Sequence, residues 1–181
     1  MSTIPGKAPA LRLPPQVETA RDLLLEHLGK LLTVEDTLAK RILPHLAQDT
    51  KDEELKSALE EHLQETRAHV QRIKDAFAAL GEEPRGKPAL GLDGLRVERD
   101  DLVDQVMPAL RPAVDCEAAM GTEHYEINAY DAAIRLAGEL GLEQVAELLG
   151  ANLADETAAL RKLAEQSERL TATAVERPAR K

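Results

Sequence analysis

Residues 123–142 read EHYEINAYDAAIRLAGELGL, and the spacing within them decides the fold. On a helix each residue advances about 100° around the axis. Glu126 then shares one line with Ala119, Tyr130, Ala133 and Ala137, and Glu123 lies one turn earlier on the same face. A stripe of small and apolar residues is the face a helix buries. Here carboxylates stand in the middle of it. Gly141 stops the segment in a tight turn, and a second helical pattern begins at Leu142.

The same pattern recurs along the chain. A first helix is expected from Gln16 to Ala47, with Leu24, Leu28, Leu31, Leu32, Leu38, Ile42 and Leu46 at helical spacing. Pro44 removes a backbone hydrogen bond and should bend its last turn. A second helix is expected from Lys51 to Leu80, with Thr50 and Glu53 as a capping box and Gly81 as its stop. Residues 81–91 (GEEPRGKPALG) cannot be regular structure. A short helix over 92–106 follows, because Leu92, Leu95, Leu102 and Val106 fall on one face. The third long helix ends near Leu140, and the fourth runs from Leu142 to Leu170. Short turns join the first pair and the last pair, and a long crossover joins the pairs. That connectivity predicts an all-α, ferritin-like antiparallel four-helix bundle with an extra short helix in the crossover. The bundle should span 16–170, between a flexible arm (1–15, with four prolines) and a flexible tail (171–181).

Composition agrees. Aromatic residues are 2% of the 181 and β-formers are scarce, while Ala and Leu dominate the apolar share. The net charge of −10 argues against nucleic acid and against an anionic membrane surface as partners. No apolar stretch is long enough to span a bilayer. The N-terminus lacks the pattern of a signal peptide. With Cys116 as the lone cysteine, a cytoplasmic location is expected.

Three helices each place a Glu at the centre of the stripe that should be buried. Glu35 lines up with Leu24, Leu28, Leu31, Ile42 and Leu46; Glu126 with the set above; Glu156 with Val145, Leu149, Leu160 and Leu163. An unpaired buried carboxylate costs several kcal/mol or takes up a proton. Three in three helices call for a compensating charge, and a divalent metal supplies one. On the second helix Glu65 lies at the edge of the stripe, with His62 and His69 inside it and His62 nearer its centre. Glu35 and Glu65 are separated along the chain by the same distance as Glu126 and Glu156, so the two hairpins can bring their carboxylates to one depth. The expected metal ligands are Glu35, Glu65, His69, Glu123, Glu126 and Glu156, with His62 competing with His69 as the imidazole. Oxygen donors with an imidazole suit iron or manganese better than zinc. Tyr130 is near enough to the site face to hydrogen-bond a carboxylate. Tyr125, Tyr130 and Cys116 are nevertheless read as packing residues, His124 as lying outside the site and Asp155 as exposed.

The stretches VEDTLAKRILPHLA (34–47), LEEHLQETRAHVQRIKDAFAALGEEPRGKP (59–88) and EHYEINAYDAAIRLAGELGL (123–142) resemble the YciE/YciF-type family of bacterial ferritin-like proteins, often described as stress-induced. The resemblance covers residues 18–168. It implies a ferritin-like fold, a homodimer and a di-metal site. The Glu123/Glu126 pair also looks like the E-x-x-E of rubrerythrin-type sites. There are departures: Thr66 stands at the ferritin-like Glu position, and Leu160 stands where the family often has an acid. The function expected is the binding of two iron ions, or of manganese, with redox handling of dioxygen or peroxide under stress. The alternative is a non-catalytic structural or partner-binding bundle with weak metal binding or none. An iron-storage cage ranks last.

Overall fold

The computed structural model describes residues 17–176. The arm expected over 1–15 and the end of the tail lie outside them. Six α-helices follow in order: α1 (Ala20–Thr37), α2 (Leu43–Asp49), α3 (Glu53–Ala79), α4 (Leu90–Gln105), α5 (Arg111–Glu139) and α6 (Glu143–Glu176). A π-helical turn, Leu38–Ile42, joins α1 to α2 without a break. The first long helix expected from sequence is therefore α1, this turn and α2 together.

Local chemistry sets the boundaries. Thr19 caps α1 in a reciprocal box with Asp22: its hydroxyl accepts from the Asp22 N–H at 3.0 Å, and the Asp22 carboxylate accepts from the Thr19 N–H at 2.9 Å. The helix thus starts at Ala20 rather than at Gln16. The cap of α3 is Asp52, which accepts from the Leu55 N–H at 3.0 Å, and not Thr50, which closes α2 instead. Asp52 also receives both terminal nitrogens of Arg169, which ties the start of α3 to the end of α6. Gly81 (φ +70°) and Gly141 (φ +68°) end α3 and α5 in the left-handed conformation. In each case the next residue's N–H bonds back to Phe77 or Ala137, which satisfies a carbonyl the helix leaves free. No proline or glycine stands between Leu170 and the end of α6, and the helix runs on to Glu176.

Pro44 does more than bend the last turn. A proline ring collides with the carbonyl four residues back and offers no N–H. The turn before it widens, and the Leu43 N–H bonds to the Leu38 carbonyl, five residues back. Such π-bulges occur often at functional sites.

Around the bundle, α1 packs on α3, α3 on α6, α6 on α5 and α5 on α1, while α4 lies against α5. Two apolar clusters fill the interior. One holds Leu24, Leu28, Ile73, Phe77, Ala133 and Leu149, the other Leu43, Leu46, Leu55, Leu59, Cys116 and Leu163. Along α1 and α6 the first cluster precedes the second, and along α3 and α5 the order reverses. Neighbouring helices are therefore antiparallel. Between the clusters each long helix crosses a polar layer: Glu35, then His62 to His69, then Glu123 and Glu126, then Asn152 and Glu156.

The crossover lies directly on α1 at Gly29. A Cβ there would stand 2.8 Å from the Arg85 carbonyl and 2.5 Å from Lys87 Cγ, and the Lys87 N–H donates to the Gly29 carbonyl at 2.9 Å. Alanine at this position should destabilise the fold by about 1–2 kcal/mol, although alanine is the better helix former. Urea unfolding of Gly29→Ala checks this. The crossover helix α4 is less buried than its pattern predicts. Leu92 is buried, Leu95 and Val106 are half-buried, and Leu102 is exposed, as are Leu90, Val97 and Met107.

Candidate metal centre

The polar layer is buried. Glu35, Glu126 and Glu156 are 0% exposed, Glu123 2%, His69 0% and His62 6%. Two groups of donor atoms converge within it, Glu35/His69/Glu156 and His62/Glu123/Glu156, and Glu156 belongs to both. His69 Nδ1 lies 2.8 Å from Glu156 Oε1 and 3.4 Å from Glu35 Oε2. His62 Nε2 lies 3.2 Å from Glu123 Oε1 and 3.7 Å from Glu156 Oε2. These approaches are close but lack the alignment of hydrogen bonds. Eight buried atoms on these residues have no hydrogen-bond partner, including both oxygens of Glu126 and both of Glu156. Buried polar atoms in proteins are nearly always satisfied, and six of these eight lie on the residues of the two groups that could hold a metal ion.

Outward-facing atoms of the same side chains are held. Asp155 receives His69 Nε2 at 3.2 Å and is itself fixed by Arg72 at 2.8 Å. Glu65 Oε2 faces His62 Nδ1 at 3.4 Å. Each imidazole thus has a carboxylate on its outer nitrogen, which turns the inner nitrogen toward the centre. Metal-ligating histidines are oriented in this way. Tyr130 donates its hydroxyl to Glu35 Oε1 and accepts from Asn152 Nδ2 at 2.9 Å.

The electrostatics follow from burial. It drives the Glu126 carboxyl well above its ordinary range, and the charges of Glu35, Glu156 and Glu123 push it further. Glu35 is raised for the same first reason, against the opposing pull of His69. Glu156 is raised to about 7. Burial alone would lower both imidazoles, but Glu156 and Glu35 hold His69 protonated up to about 10, and Glu123 and Glu65 raise His62 well above its usual value.

A pH dependence follows for the metal-free protein. An acid raised on folding stabilises below its unfolded value of 4.5, and this is lost as pH climbs through about 7. A histidine raised on folding stabilises below 6.5, and this is lost as pH climbs through about 10. Both act in one direction, so metal-free protein should melt at progressively lower temperature from pH 5 to pH 9. Metal binding needs the deprotonated donors, so the stabilisation by added metal should grow over the same range. Thermal melts with and without chelator at several pH values check both trends.

Of the residues expected as ligands, the structure brings Glu35, His69, Glu123 and Glu156 into the two groups. Glu126 is buried beside them but belongs to neither group. Glu65 stands outside, 28% exposed at its side chain, between His62 and Lys162. His62, expected to compete with His69, stands in the second group, so the layer contains both histidines. Thr66 spends its hydroxyl on the His62 carbonyl at 2.8 Å. Asn152 is not among the residues the sequence singles out, and Asp155, expected to be exposed, is half-buried against His69. Asn152 lies one turn before Glu156 on the same stripe, a signal that was there to read. Asp155 points sideways off that stripe, and only the outer nitrogen of His69 reveals it. His124 is exposed and Cys116 is packed in the core, bonded to the Leu163 carbonyl.

Fold and site together define a ferritin-like four-helix bundle with a buried carboxylate–histidine centre. The chain belongs to the family described as "Domain of unknown function (DUF892)", whose profile matches residues 19–176. It is 29% identical over 144 residues to protein YciF of Escherichia coli (strain K12), covering 78% of this chain and 86% of that protein. The crystal structure of the E. coli stress protein YciF superposes with a TM-score of 0.79 at 28% identity, over 86% of this chain and 98% of the other. YcfI of Rhodopseudomonas palustris, for which a structural role has been put forward, superposes with a TM-score of 0.80 at 31% identity, over 84% and 98% of the two chains. The family resemblance read from the motifs is borne out.

Proposed function

We propose that this protein holds two iron or manganese ions in the polar layer and uses them in the redox handling of dioxygen or peroxide during stress. The observation that carries this reading is the set of eight unpartnered buried donor atoms, six of them on the residues of two groups that share Glu156 and the other two on Glu126 beside them. Four buried carboxylates with two neutral imidazoles also match the charge of two divalent ions. Glu35, His69 and Glu156 would hold one ion and His62, Glu123 and Glu156 the other, with Glu126 the nearest further carboxylate. Iron bound there would supply an accessible ferrous–ferric couple.

The protein's own part is to position and to exclude. Asp155 and Glu65 hold the imidazoles with their inner nitrogens free. Tyr130 and Asn152 fix Glu35. The two apolar clusters keep bulk water from both ends of the layer. The kinship with a stress protein supports the setting, the exposed apolar residues of α4 support a homodimer, and the free Cys116 supports a cytoplasmic location.

A ligand that binds only the folded state raises its melting temperature. Fe(II) under anaerobic conditions, or Mn(II), should therefore raise the melting temperature of this protein, and a chelator should reverse the rise. The second reading, a structural bundle without metal, is favoured by the ion pairs that the two histidines form with the same carboxylates. An unchanged melting temperature at saturating metal would put it first.

A further inference from the structure

A cleft of about 360 Å³ opens beside the centre. That volume lies in the range of small-molecule sites and is too small for a docked protein segment of any length. Its walls are the π-helical turn with the start of α2, the inner side of α4, and one face of α5. The widened turn has a consequence here: one added residue rotates everything after it by about 100°, and residues from the turn onward, among them Ile42 and Leu43, line the cleft.

The chemistry of the cleft is uneven. Leucines and alanines from all three walls make its body. Glu123, buried and with Oε2 unpartnered, lies on its wall and in the metal centre at once. The rim is basic, in a chain of net charge −10. Arg99 is spent on Asp100 and Asp115, and His45 faces Asp49. Arg41 and Arg96 line the cleft, are exposed and form no ion pair with any described residue. Asp93 offsets part of their charge. A cation entering here meets the wrong sign first. An anion with an apolar body meets arginines at the rim and leucines beneath.

We infer that this cleft binds a medium-chain aliphatic carboxylate, with its headgroup on Arg41 and Arg96 and its chain directed along the leucine wall toward Glu123. The inference rests on the metal-centre reading only for what the chain end would reach. Binding itself needs no metal.

Decanoate is a suitable probe, titrated calorimetrically into metal-free and metal-loaded full-length protein. Saturable binding is expected to both. Decanol, which has the same chain without the charge, should bind about fivefold more weakly or worse, and Arg41→Gln/Arg96→Gln should weaken decanoate to a similar degree. Ala118→Phe, which places a ring in the cleft, should abolish binding with the helical content unchanged; if that variant does not fold, the arginine double variant carries the test. No saturable binding of decanoate, or equal affinity of decanoate in wild type and the arginine variant, would overturn the inference. The two readings fail separately. Decanoate binding by a protein that takes up no metal leaves the cleft standing and removes the centre, and metal uptake without decanoate binding does the reverse.

Discussion

Replacing Glu126 with leucine is expected to make the metal-free protein more stable, by about 1–4 kcal/mol. Glu126 is 0% exposed, both of its oxygens lack a partner, and three other carboxylates raise its pKa beyond what burial does. No basic side chain among the described residues pairs with it. Leucine fills a similar volume and removes the unmet polar atoms. For a chain of this size each kcal/mol moves the melting temperature by roughly 2–4 °C, so the shift is easily read. The same substitution should weaken metal binding. Gain of stability with loss of metal is the signature of a residue kept for a ligand rather than for the fold. A destabilised metal-free variant would show instead that Glu126 holds the core together.

Glu156→Gln is expected to have the largest effect on metal. Glu156 alone belongs to both donor groups, with one oxygen 2.8 Å from His69 Nδ1 and the other 3.7 Å from His62 Nε2. Gln keeps the shape and loses the charge. Loss of an outer-shell contact alone commonly costs 10–100-fold in affinity, so losing the shared ligand should weaken both ions by about 100-fold or more. Glu35→Gln, in one group only, should weaken one ion and leave the other. Anaerobic equilibrium dialysis with elemental analysis separates the two patterns. Equal effects of both variants would mean that Glu156 is not shared.

Much of this was legible in the chain itself. The Ala and Leu stripes, the stops at Gly81 and Gly141 and the long crossover define the bundle, because helical periodicity is local and strong. Carboxylates at the centre of a stripe are as visible as the leucines beside them, so Glu35, Glu126 and Glu156 could be read directly. What could not be read depends on rotation and reach. Glu65 lies at a stripe edge, where a small change of helix rotation decides between the centre and the surface, and it ends up behind His62. The π-helical turn is a backbone response to Pro44, and its register shift has no residue signature of its own. Asp52 outcompetes Thr50 as the cap because Arg169, more than a hundred positions away, holds it in place. Asp155 matters only through the far side of His69.

The most direct test is to load the protein anaerobically with Fe(II), count iron per chain, and admit oxygen while following the near-UV absorbance of ferric iron, with Glu156→Gln alongside. About two irons per chain in the wild type, oxidised rapidly, with both uptake and rapid oxidation lost in the variant, is the result predicted. No stoichiometric uptake, or the same uptake and oxidation in the variant, would contradict a metal centre here and leave the buried carboxylates and histidines as a structural ion-pair network.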